Sequence, residues 1–224
     1  MTARAERAFD TTAVLLVSGV IAGPLFLLVS LVDGATRTGY DSMSMPISLL
    51  AVGDRGWVQT LNFLVTGVLF GLFALGVYES LHERATASFL GPLLIALMAF
   101  GVVMAGLFTT DPGGGFPPGV TPPRVATMHG TLHDVASLLV FPTLVVCCLY
   151  FAVWFYRRSQ QGWAAYSAAS GLILAVAFGT MLAGYNGNEA VFHIAGLAQR
   201  IFLVVGWGWL AIFGLYLLRS RPAG

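Results

Sequence analysis

The chain has 224 residues, 57% of them hydrophobic and only 9% charged, with eleven arginines and no lysine. A soluble core could not hide that much apolar surface, so the composition specifies an integral membrane protein. The formal net charge is +1 and the arginines stand singly or in pairs, which leaves no basic patch for nucleic acid.

A bilayer core takes roughly 20 apolar residues per helix. Six runs reach that length, over 12–32, 57–80, 88–109, 130–156, 163–184 and 199–218. Each is too long and continuous for a strand, so the expected fold is all-α, a polytopic bundle of six transmembrane helices in one domain spanning residues 1–224. The first run exceeds a typical signal-peptide core and the "VDGATRTG" after it has no A-x-A cleavage site, which reads as a retained span. Gly19 and Gly23, Gly67 and Gly71, and Gly101 with Ala105 are small residues four apart, the spacing that lets helix backbones approach inside a membrane.

The first connection, roughly 33–56, contains "YDSMSMPISLLAVGDRG", expected to lay a short interfacial helix across the bundle with Pro46 in its first turn or as a break. Gln59, Asn62 and Thr66 in the second span form one polar stripe, which should face the bundle interior, either as inter-helix hydrogen bonding or as a pocket lining. The next link, "YESLHERA", pairs its own charges around His82. "TTDPGGGFPPGVTPPR" then crowds five prolines and four glycines between Asp111 and Arg124, which forbids regular structure and favours an ordered coil.

In "MHGTLHD", His129 and His133 lie four apart, a spacing by which one helix can present two imidazoles to one centre. Asp111 ends the third span and His193 lies in the last outer loop, so a divalent metal such as zinc on His129, His133 and His193 is one expectation. A pocket without metal is the other, and histidines at a membrane interface also serve purely structural ends. Asp134 could pair with Arg124 or Arg200. A heme carrier would want paired histidines at two depths, which the sequence lacks. Cys147 and Cys148 are adjacent within an apolar run and cannot easily form a disulfide. Trp207 and Trp209 are expected on different sides of the last helix, one toward lipid.

Arginine placement sets direction. With the N-terminus in the cytoplasm, the inner segments hold Arg4, Arg7, Arg84, Arg157, Arg158, Arg219 and Arg221, against Arg37, Arg55, Arg124 and Arg200 outside. Both termini are therefore expected to be cytoplasmic, in the inner membrane, with the elaborate connections on the extracytoplasmic face.

The order "SMSMPISLL" at 42–50, "GWVQTLNFLVTG" at 56–67, "AGLFTTDP" at 105–112, "HGTLHD" at 129–134 and "GLAQRI" at 196–201 resembles the prokaryotic DUF998 family of six-helix membrane proteins. That resemblance implies a multi-pass bundle and brings no established catalytic residues. A looser likeness runs to the alkaline ceramidase and progestin-receptor-like membrane hydrolases, which combine a serine, an aspartate and several histidines around zinc. This chain has six spans rather than seven and no H-x-x-x-H in its final helix.

Together these readings place a polar pocket at the extracytoplasmic end, built from the second, third and fourth helices and the last outer loop. His129, His133, Asp111 and Ser48 are the candidate catalytic groups, and Ser44, Gln59, Asn62, Asp134 and Arg200 the candidate pocket lining. The expected activity is hydrolysis or group transfer on a lipid or other hydrophobic small molecule, with a non-catalytic lipid-binding or sensory bundle as the alternative. An ion-coupled transporter fits less well, because the middle of the bundle is nearly free of charge.

Overall fold

The computed structural model describes residues 2–83 and 88–220, so Arg84 and Arg221 of the arginine tally lie outside the described residues. The helices are α1 (Thr2–Ala35), α2 (Gly56–Glu83), α3 (Leu90–Leu107), α4 (Met128–Tyr156), α5 (Gln161–Tyr185), the single turn α6 (Glu189–Phe192) and α7 (Ala195–Arg219). Six of them contain segments long and apolar enough to cross a membrane, starting with Thr11–Ala35. The chain is a multi-pass membrane protein of all-α fold, and the six expected spans match these segments to within a few residues at each end.

Each long helix packs on its predecessor, and α7 returns to lie between α5 and α1, closing the six into a ring. Phe26, Phe70, Phe73 and Trp207 fill the centre, with the Trp207 ring edge-on to Phe26 at 4.3 Å. Close approach depends on absent side chains: a Cβ on Gly19 would stand 2.2 Å from the Phe73 ring, and one on Gly23 2.6 Å from Trp207. Gly71 departs from the expected pattern, since a Cβ there would meet nothing within 4 Å. Trp209 departs too. Both tryptophans are buried, because α7 also touches α2 and α4 and so presents apolar surface to the bundle over a wide arc. The Trp209 indole donates to Ser167 Oγ at 3.0 Å.

The polar stripe of α2 faces α1. Asn62 Nδ2 donates to the Phe26 carbonyl at 3.1 Å and to Ser30 Oγ at 3.2 Å, while Ser30 donates to Gln59 Oε1 at 3.1 Å. All of these groups are buried, so the stripe is a dry inter-helix network.

The connections 36–55 and 108–127 and the α5–α7 connection gather at one end of the ring as a cap. Residues Ile47–Ala51 form a 3₁₀ helix that starts just after Pro46, but all five are buried. The segment is tucked into the end of the bundle instead of lying across it, because Ile47, Leu49 and Leu50 have core surfaces to cover. The 108–127 coil lays Phe116 against Met45, Leu49 and the Tyr40 ring. An ion cluster unforeseen in the sequence braces the base of the cap: Asp33, buried at the end of α1, accepts from Arg55 at 2.6 Å and lies 3.9 Å from Arg37, whose guanidinium also donates to the Val52 carbonyl.

The 42–47 segment is clamped to the start of α7. Leu197 N donates to the Met43 carbonyl at 2.9 Å and Ile47 N to Gln199 Oε1 at 2.7 Å. Arg200 donates to the Met45 carbonyl at 3.1 Å and to the Tyr40 hydroxyl at 2.6 Å, and Tyr40 in turn donates to the Pro46 carbonyl at 3.1 Å. Burial raises the Tyr40 phenol above its ordinary pKa despite the opposing Arg200 charge, which keeps the donor proton in place. The carbonyl oxygens of Ser42, Met43 and Met45 all crowd Gly196, where a Cβ would stand 2.6 Å from Met45 O.

Gly196→Ala is therefore expected to destabilise the fold by roughly 1–3 kcal/mol through forced backbone displacement, read as a lower thermal midpoint in detergent. Gly71→Ala, with open space at its Cβ, should leave the midpoint unchanged or raise it. Equal effects of the two would refute the clamp as a stability determinant.

Candidate functional site

At the cap end, between α4, α5, α7 and the 3₁₀ helix, lies a cavity of about 360 Å³. Its polar lining comprises Ser48, Thr110, His133, Asp134, Ser137, Tyr185, Asn186 and Gln199, and its apolar wall includes Leu138, Phe141, Phe178, Met181 and Leu182. Leu138 and Leu182 are 54% and 41% exposed on the outside of the bundle, so the cavity opens sideways, between α4 and α5, as well as holding buried polar groups. A smaller chamber of about 40 Å³ adjoins it toward the bundle axis, sharing Ser48, His133, Ser137, Phe141 and Gln199 and walled by Phe26, Phe63 and Trp207.

His133 sits in the second turn of α4 and is buried. Its Nδ1 lies 3.1 Å from the Ala105 carbonyl and 2.8 Å from that of Phe108. These carbonyls belong to the C-terminal end of α3, where the last turn leaves oxygens without intrahelical donors. Carbonyls only accept, so the imidazole carries a proton on Nδ1, and a neutral ring then presents its lone pair at Nε2. No protein group among the described residues bonds Nε2. Four residues on, Ser137 shares the face of His133, and Phe141 continues it, so one stripe of α4 turns from polar to apolar as it leaves the cap.

Gln199 is oriented from the other side. Its Oε1 is taken by Ile47 N, which turns Nε2 into the free donor end of a buried amide lining both cavities. The Tyr185 hydroxyl is buried with no hydrogen-bond partner. Ser48 and Ser137 make no hydrogen bonds to other described residues through their hydroxyls.

Of the residues singled out in the sequence, Ser48, His133 and Asp134 line this cavity. The others have different places. Asp111 accepts from Thr127 N at 2.8 Å and Thr127 Oγ1 at 2.6 Å, closing the proline-rich coil at the start of α4. Thr127 itself caps that helix by accepting from Gly130 N at 3.0 Å. Ser44 donates to Asp41 at 2.5 Å in a turn of the cap, a bond that holds the exposed Asp41 carboxyl below its usual range. Gln59 and Asn62 belong to the α1–α2 network and line neither cavity. Arg200 takes Tyr40 and the cap carbonyls instead of Asp134. The larger cavity therefore draws on α4, α5, α7, the 3₁₀ helix and the connection residues Thr110 and Asn186, where the sequence pointed to the second, third and fourth helices and the last outer loop. Helices α2 and α3 contribute Phe63, Val102 and Ala105 to the smaller chamber.

The zinc expectation meets a geometric obstacle. His129 is exposed and edge-on to Phe108 and His193 is exposed at the C-cap of α6, while His133 alone of the three is buried. Among the described residues no three His, Cys, Asp or Glu side chains gather as a metal site. Helical spacing puts the two rings on one side of α4, but His129 stands in the exposed first turn and only His133 is enclosed by the ring. Ser137, Tyr185 and Gln199 were missed as site residues. The i, i+4, i+8 run from His133 through Ser137 to Phe141 was the available signal for the first, and the "GLAQRI" motif for Gln199.

At pH 8, ¹⁵N-detected histidine spectra are expected to assign His133 as the Nδ1-protonated tautomer. An Nε2-protonated ring would show that the α3 carbonyls do not orient it.

No curated protein and no solved structure matches the chain. The family model described as "Protein of unknown function (DUF998)" matches residues 20–216, a stretch that holds the clamp, the whole of α4 and every residue lining the cavity. On that match, running from the first span into the last, the chain belongs to the DUF998 family.

Proposed function

We propose that this protein takes up a membrane amphiphile through the lateral opening between α4 and α5, holding the polar head among Ser48, His133, Ser137 and Gln199 and the chain against Phe141, Phe178 and Met181. The observation that carries this reading is one cavity with unpartnered polar groups at its inner side and exposed Leu138 and Leu182 at its rim. Ligand sites are mostly apolar with a few convergent polar groups, which is this composition. A buried polar group left unpaired costs about 1–3 kcal/mol, which the Tyr185 hydroxyl bears, and Gln199 Nε2 adds an uncommitted donor to the cavity lining, so both favour a polar occupant. On the arginine bias, this reading assigns the cap, and with it the ligand, to the extracytoplasmic leaflet of the cytoplasmic membrane.

The His133 geometry favours a second reading in which the amphiphile is also turned over. A ring fixed with Nδ1–H toward carbonyls leaves Nε2 as a general base, and two serine hydroxyls and a water-sized chamber adjoin the same residue. Hydrolysis or acyl transfer would then proceed by proton removal from a serine or a water, with the same imidazole returning the proton to the leaving alkoxide.

Protein purified in mild detergent is expected to retain a near-stoichiometric amphiphile, identified by extraction and mass spectrometry, and Ser137→Leu to lose it by filling the cavity while keeping its thermal midpoint. Loss of nothing in Ser137→Leu would count against the cavity. If the protein also cleaves an ester of that ligand, His133→Gln should lower turnover by about 10²-fold or more, and unchanged turnover would leave the binding reading alone.

A further inference from the structure

The lining of the cavity is selective in charge and in hydrogen-bond sense. Its one ionisable acid is Asp134, exposed at the rim, and no arginine lines it. The cation that follows Gln199 in the chain, Arg200, has its guanidinium committed to the Met45 and Gly196 carbonyls and the Tyr40 hydroxyl. Asp111, the other acid near the start of α4, is bonded to Thr127.

The remaining groups alternate in sense. Gln199 Nε2 only donates, the His133 Nε2 lone pair and Asn186 Oδ1, whose Nδ2 is bonded to the Leu182 carbonyl, only accept, and the Ser48, Thr110, Ser137 and Tyr185 hydroxyls do either. A phosphate or carboxylate head is acceptor-only. It would set lone pairs against His133 Nε2 and bring a second negative charge toward Asp134 with no free cation to offset it. A hydroxyl both donates and accepts, so a head with two or more hydroxyls can meet the Gln199 Nε2 donor and the His133 Nε2 acceptor at once.

Resting on the amphiphile-binding reading, we infer that the cavity selects amphiphiles with an uncharged, polyhydroxylated head, of the glycerol or sugar type, against anionic heads on the same chain.

The test is competition on the full-length chain in lipid nanodiscs, with radiolabelled monooleoylglycerol as the probe and unlabelled monooleoylglycerol and oleoyl lysophosphatidate as competitors. Saturable binding that is lost in Ser137→Leu is expected, with lysophosphatidate about tenfold weaker than monooleoylglycerol. Asp134→Asn, at an exposed position, should narrow that gap several-fold. Saturable binding with the two competitors equal, or with lysophosphatidate stronger, overturns the head-group selection and leaves the amphiphile site standing. Absence of saturable binding by either lipid, each radiolabelled in turn, overturns the amphiphile site itself.

Discussion

The contact on which the rest of this structure depends is backbone against backbone: the carbonyls of Ser42, Met43 and Met45 resting on Gly196 at the start of α7. Around that point Leu197 N, Gln199 Oε1 and the Arg200 guanidinium each take one bond from the cap segment. Four of the five positions 196–200 of α7 thus hold six residues of a distant loop, and side-chain identity matters at only three of them. The clamp seats the 3₁₀ helix in the end of the ring and brings Ser48 to face α4. It also explains why "SMSMPISLL" and "GLAQRI" stand out as a pair, since each is half of one joint.

The polar residues of the bundle divide into two populations with different physics. Ser30, Gln59 and Asn62 bond one another between α1 and α2, with only Gln59 Nε2 left unpaired, and none of them lines either cavity. The groups around His133 and Gln199 each spend one atom on the scaffold and leave the other uncommitted. In a membrane interior, where water is scarce and hydrogen bonds between helices contribute modestly, the first pattern is glue. The second is an arrangement of held side chains with free ends, the form that binding and proton transfer require.

Much of the fold was legible because span length and continuity are properties of composition along the chain. The faces were legible as well: Gln59, Asn62 and Thr66 do point inward, and His133 does turn toward a cavity. Which helix a face would meet was not, because the ring order α1 to α7 is a property of packing, and so the α2 stripe was open to two readings until Ser30 and Phe26 appeared opposite it. Burial was likewise hidden, which is how His129 and His133 came to look like a ligand pair. Asp33, Arg37 and Arg55 escaped notice because each resembles an ordinary helix-end charge until the cap folds them together.

The closure of the ring by α7 also has a meaning in time. Chains are made from the N-terminus, so the cap segment at 42–47 emerges well before residues 196–200 exist to receive it. Until the last span inserts, the gap between α1 and α5 stays open, the Ile47 amide has no Gln199 to meet, and His133 faces an unfinished wall. The cavity is therefore the final feature to form during biosynthesis, and a polypeptide stopped short of its last helix would have five spans and no site.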